Sequence, residues 1–130
     1  MRVCGYCLMP NHWHLVLWPE RDGDLAAFML RLTVTHVTRW QRHEKQVGHG
    51  HVYQGRFKSF PVSSDEYFYQ AVRYVERNAL RAQLCRRAEQ WRWSSLWRRE
   101  SGKGSRGSSA LSARFTDRSP GDRLEAWAHH

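Results

Sequence analysis

Two histidines one residue apart, His12 and His14 with Trp13 between them, are the first residues of this 130-residue chain whose types and spacing suggest chemistry. Side chains of an extended strand alternate between faces, so His12 and His14 share one face while Trp13, Leu15 and Leu17 take the other and can be buried. Two imidazoles side by side are half of a metal site, although two histidines on an exposed strand face are more often simply solvated. Cys4, Cys7 and His12 reproduce the first three ligand spacings of a zinc knuckle. The place of a fourth ligand is taken by Leu17, and a three-residue separation in a strand is expected to send Cys4 and Cys7 to opposite faces. Buried structural thiols are the expected role, with a zinc protein using Cys4, Cys7, His12 and His14 as the alternative.

A third candidate lies far along the chain. Tyr67, Ala71, Tyr74 and Asn78 fall on one helical stripe, while Phe68, Val72 and Val75 mark a neighbouring apolar stripe. A tyrosine hydroxyl has a solution pKa near 10, so as a nucleophile it needs a polarised phosphate or a nearby base. Without such surroundings, Tyr67, Tyr69 and Tyr74 read as ordinary rim aromatics.

The elements that must position these residues follow from local pattern. Val3 to Leu8 and Trp13 to Trp18 are apolar runs separated by Met9-Pro10-Asn11, whose last two residues form turns, and they read as a β-hairpin. Asp24 can cap a helix in which Leu25, Phe28, Met29, Leu32, His36 and Trp40 recur at helical spacing, against the preference of the β-branched cluster Thr33 to Thr38. After a Gly- and His-rich loop, Val52 to Val62 reads as a third strand. Ser63-Ser64-Asp65-Glu66 matches a capping box, with Ser63 as the cap of a helix from about Ser64 to Leu84. Beyond Trp93-Ser94-Ser95-Leu96 the composition turns to Gly, Ser, Arg and Lys. Residues 1–98 are therefore expected to form one domain and 99–130 a basic, disordered tail.

Charge narrows the partners. Lys and Arg number 21 against 12 Asp and Glu, for a net charge of +9, which favours a polyanion such as nucleic acid. The seven Trp and five Tyr include rings that could stack on unpaired bases. No apolar run is long enough to span a bilayer and the first residues lack the pattern of a signal peptide, so a cytoplasmic protein with no membrane partner is expected. Three cysteines without framework spacing fit reduced thiols.

The string Tyr6-Cys7-Leu8-Met9-Pro10-Asn11-His12-Trp13-His14-Leu15-Val16-Leu17 resembles the signature of the REP-associated tyrosine transposases and their insertion-sequence relatives, within the HUH single-tyrosine (insertion-sequence 200-like) superfamily. Two further blocks follow in that family's order, Gln54-Gly55-Arg56-Phe57-Lys58 and Arg73-Tyr74-Val75-Glu76-Arg77-Asn78-Ala79-Leu80-Arg81-Ala82, trailed by Trp91-Arg92-Trp93-Ser94-Ser95. The resemblance implies a ferredoxin-like α+β fold, an antiparallel sheet of about three strands with helices packed on one face. It implies Mg²⁺ or Mn²⁺ held by His12, His14 and Asn78, and Tyr74 as the nucleophile. Relatives carry an opening strand and helix before the histidine hairpin. Here the hairpin begins at Val3, so that inner strand and covering helix are expected to be missing. Gln83 stands where relatives often have glycine, and it is expected to remove a turn.

The function so implied is metal-dependent nicking of single-stranded or hairpin DNA and strand transfer through a 5′-phosphotyrosine, as in DNA transposition. Arg56, Lys58, Arg73, Arg77 and Arg81 are the candidates for phosphate contacts. The alternative is an inactive remnant that binds hairpin DNA without cutting it. A homodimer is compatible with either reading.

Overall fold

The computed structural model describes residues 1–45, 47, 50–53 and 55–102, together with the backbone of Leu124–His129. The hairpin forms as its pattern predicts. Strand β1 (Arg2–Leu8) pairs antiparallel with β2 (Trp13–Trp18), Leu8 opposite Trp13 and Arg2 opposite Trp18. The turn between them is closed by a backbone bond from Met9 N to His12 O at 2.8 Å. A register shift between Val3 and Gly5 marks a bulge at Cys4. That bulge overturns the opposite-face expectation, since Cys4 packs against the same cluster as the buried Cys7.

Helix α1 (Asp24–His43) begins one residue earlier than expected, with Gly23 and not Asp24 at the cap position, and runs unbroken through the β-branched cluster. Its burial of Met29 against Leu15 and Leu17 outweighs the weak local propensity of that cluster. Asp24 is the helix's first residue. Its carboxylate reaches back to accept from Glu20 N at 3.0 Å and Arg21 N at 3.1 Å, and these bonds hold the carboxyl below its usual range.

The third strand is shorter than its sequence pattern. Strand β3 covers Lys58–Val62, while Tyr53 leans on α1, its hydroxyl 2.6 Å from His36 Nδ1. Helix α2 (Asp65–Glu76) is capped one residue later than predicted. Ser64, extended at φ −148°, accepts from Tyr67 N at 3.4 Å, and Glu66 accepts from Gln70 instead of closing a box with Ser63. The trace then eases at Arg77 into the short helix α3 (Asn78–Arg81). Bonds from Arg77 N to Arg73 O and from Arg81 N to Arg77 O carry the helical course through the break. The expected loss of a turn at Gln83 does not occur. Gln83 adopts a left-handed φ of 58°, and Leu84 N donates back to Ala79 O at 2.9 Å, as in a helix-ending turn usually given to glycine.

A single 3₁₀ turn (Ala88–Gln90) and the helix α4 (Ser95–Glu100) follow, the latter running past the expected domain end at 98. The Trp-rich segment binds the edge of β1: Trp91 Nε1 donates to Leu8 O at 2.8 Å, Leu8 N to Trp93 O at 2.9 Å, and Cys7 bridges to Ser94.

The sheet has four strands in the order β1-β2-β4-β3, where β4 is Leu124–His129. The expectation of a structureless 99–130 therefore fails at its far end, while residues 103–123 and 130 lie outside the described residues. Strand β4 is antiparallel to both neighbours and fills the inner position that the sequence reading left empty. The fold is α+β with an antiparallel, ferredoxin-like sheet, but its helices do not share one face. Along β2, Val16 packs with Phe68, Val75 and Ala79 of the α2–α3 side, and Leu15 and Leu17 pack with Met29 of α1. Strand alternation places the two helical layers on opposite faces.

Candidate active site

The site is built where β2 leaves the hairpin turn. His14 is the second residue of β2 and lies on the same face as Val16, beneath the tyrosine helix, where it is 2% exposed. His12 precedes the strand at its open end. The two rings stand edge to face with centroids 5.0 Å apart. At that spacing both can reach one ion through metal–nitrogen bonds of about 2.1 Å. Asn11 Oδ1 lies 2.7 Å from His12 Nδ1. With Nδ1 protonated and donating to that oxygen, Nε2 is left as the lone-pair donor, which is how an outer partner fixes a ligating tautomer.

Helix α2 brings Tyr74 to the same place. Its ring centroid is 6.2 Å from that of His14 at a steep 84°, and the residue remains 39% exposed. The opposite side of the helix explains this placement. Phe68 and Val75 are buried against the sheet and leave Tyr74 at the rim. The Arg81 guanidinium sits over the Tyr74 ring, 4.7 Å from its centroid, a cation–π contact that also places positive charge beside the phenol. Asn78, half-buried, opens α3 one turn beyond Tyr74.

Of the residues singled out in the sequence, His12, His14 and Tyr74 converge, and Arg81 joins them. Arg73 and Arg77 are exposed on the same helical run. Arg56 is placed elsewhere, lining an open groove beside α1 with Phe57, and the exposed Lys58 begins β3. Burial raises the Cys4 thiol to about 11 and the Cys7 thiol also upward, which opposes the thiolate that zinc requires. Among the described residues no group of three or more His, Cys, Asp or Glu could hold a metal ion. The set at hand is two imidazoles, a pair that suits a divalent ion completing its shell with water and phosphate oxygens.

A family model described as "Transposase IS200 like" matches residues 1–78, an interval that contains His12, His14, Tyr74 and Asn78. The chain belongs to the IS200-like transposase family. Transposases of this family are DNA-processing enzymes whose reaction is DNA transposition, and they generally use divalent metals. Comparison with curated proteins and with solved structures returns no match. No helix among the described residues is long and apolar enough to cross a membrane.

The tyrosine helix also carries a polar network that sequence reasoning missed. Glu76, two residues beyond Tyr74, is 5% exposed. Its carboxylate accepts from Ser95 Oγ at 2.6 Å and from both terminal nitrogens of Arg99 at 2.6 and 2.7 Å. Ser95 Oγ in turn accepts from Tyr6 N at 2.9 Å, so the network ties the tyrosine helix and α4 to β1. The signal was present: Glu76 stands four residues after Val72 on the apolar stripe, where a charge must be paired if it is buried.

Proposed function

We propose that this transposase nicks single-stranded or hairpin DNA and transfers the cut strand through a 5′-phosphotyrosine on Tyr74. The observation that carries the reading is the convergence of Tyr74 with His12 and His14 at one end of β2, inside the interval matched by the family. His12, His14 and Asn78 would hold Mg²⁺ or Mn²⁺, which when bound supplies Lewis acidity to the scissile phosphate and favours in-line geometry.

In the cleavage step, Tyr74 Oη gives up its proton to solvent water and forms a bond to phosphorus. The bond from phosphorus to the 3′ oxygen breaks, and that oxygen leaves as a 3′-hydroxyl after taking up a proton. Asn11 keeps His12 in the tautomer that presents Nε2. Arg81, and beside it Arg73 and Arg77, contact the phosphates that flank the scissile one, while Arg56 and Lys58 hold the strand further off. The phosphodiester energy is kept in the tyrosine ester, so attack by a second 3′-hydroxyl rejoins strands without a nucleotide cofactor. The substrate is met in the cytoplasm, by a monomer or a homodimer.

The test is incubation with 5′- and 3′-labelled hairpin DNA and Mn²⁺, followed by denaturing electrophoresis. A covalent protein–DNA band is expected, absent in Tyr74→Phe and in His12→Ala while both variants still shift the same DNA in native gels. DNA binding without any covalent band from the parent protein would replace this reading with that of a non-cutting hairpin binder.

A further inference from the structure

We propose that the cavity between the hairpin turn and α1 is a pocket for one unpaired nucleobase of the DNA strand whose phosphate lies at the candidate active site. The inference rests on the reading of His12, His14 and Tyr74 for its placement only. The cavity, about 580 Å³, is lined by Pro10, His12, Trp13, His36, Trp40 and Tyr53 together with Asn11, Met9 and aliphatic side chains. That size lies within the range of small-ligand pockets.

Its walls are rings at varied inclinations. Trp13 and Tyr53 meet edge to face with centroids 6.4 Å apart, and His36 stands against Tyr53 at 5.6 Å and 43°. The bond between Tyr53 Oη and His36 Nδ1, at 2.6 Å, fixes both rings against each other. Rings held in this way offer flat, polarisable surfaces at small entropic cost, which is what stacking on a base requires.

Charge decides which part of a nucleotide belongs here. Among the described residues no Lys, Arg, Asp or Glu lines the cavity, although the chain carries a net charge of +9. A phosphate placed among these rings would be stripped of water with no cation to compensate it. A neutral base loses little on leaving water and gains ring contact. The flanking phosphates stay outside, where the basic residues are. His12 lines the cavity and also stands 5.0 Å from His14, so the pocket and the candidate active site share a wall at the hairpin tip. A strand crossing that tip would set its reacting phosphate on the α2 side and turn a neighbouring base toward α1.

The experiment measures DNA affinity by fluorescence anisotropy in EDTA with the Tyr74→Phe protein, so that neither metal nor cleavage enters the reading. A labelled hairpin with a single-stranded flank is prepared as a series in which one abasic site is moved along the flank. One position is expected at which base removal weakens binding about 10-fold, the size of a single stacking contact, while the other positions change it little. That penalty should vanish in Tyr53→Ala and in Trp40→Ala and persist in Tyr53→Phe, which keeps the ring. A second arm places 5-iododeoxyuridine at the sensitive position, irradiates, and maps the cross-linked peptide, expected to contain Trp13, Trp40 or Tyr53.

A uniform response to the abasic site, or a penalty unchanged in both alanine variants, would overturn the pocket. So would a concentration-dependent dimer that Trp40→Ala dissociates with no base dependence, since the cavity would then be covered by a second copy. Failure of the covalent assay alongside a sharp abasic penalty removes the nuclease reading and leaves the base pocket standing.

Discussion

The two faces of the sheet are held by different means. On the α2 side, Cys7, Val16, Phe68, Val75 and Ala79 form the closed core, and the Glu76–Ser95–Arg99 network fastens the tyrosine helix to β1. On the α1 side, among the described residues, only Leu15, Leu17 and Met29 are buried, and α1 leaves Leu30 and Val34 exposed beside an open groove. One strand, β2, serves both layers through alternate residues. A nucleophile that must meet a phosphate within a fraction of an ångström needs the rigid layer. A surface that adapts to bases can tolerate the looser one.

Removing a fastening should hurt the closed face most. Arg99→Ala leaves the buried Glu76 carboxylate with only Ser95, and is expected to cost about 3 kcal/mol in urea unfolding, the low end for a broken buried pair because Arg99 is partly exposed. A loss below about 1 kcal/mol would show the network to be peripheral and the contrast between faces to be one of packing alone. A smaller cost is expected on the open face. Leu17→Ala removes a buried side chain from a layer that can relax around the gap, so its loss should sit near the lower limit for such changes, about 2 kcal/mol. A value near 5 kcal/mol would mean that the α1 layer is as tightly packed as its counterpart.

The smallest effect is one of pH and concerns the start of α1. Backbone N–H donors from Glu20 and then Arg21 lower the Asp24 pKa below its ordinary value of 3.8. A carboxyl depressed in the folded state stabilises above its unfolded pKa and loses that contribution as pH falls through the folded value. The stability gap between the parent and Asp24→Asn should therefore be constant from pH 7 to about pH 5 and close below pH 4. A gap that persists at pH 2 would show the residue to act through shape, without its charge.

Much of the site was legible because it depends on period and on local turn chemistry. The turn at Pro10-Asn11 and the helical placement of Tyr74 each follow from a few neighbouring residues and are found in place, whereas His12 stands just outside the strand that carries His14. What was misread depends on partners distant in sequence. The bulge at Cys4 is a matter of register against β2, and the burial of Glu76 requires Ser95 and Arg99. Gln83 was judged by the glycine usually found at such a turn, yet its left-handed backbone is held by the bond from Leu84 to Ala79. Ser63 and Ser64 were equivalent as caps by type, and only the extended backbone at Ser64 selected between them. The strand at Leu124–His129 lies in a stretch whose composition, taken locally, predicts disorder. It is ordered by two neighbours, and neither adjoins it in sequence.

That last strand has a kinetic consequence. The β1–β2 hairpin can close within the first eighteen residues, but β3 has no direct ladder to it and joins the sheet only through β4. Sheet completion thus waits on the most non-local contacts in the fold, which places it among slow folding events. During that wait, the free edge of β2, next to the histidine pair, can accept any extended segment that reaches it, whether from the same molecule or another. The rate at which β4 arrives therefore sets how long the chain is exposed to mispairing.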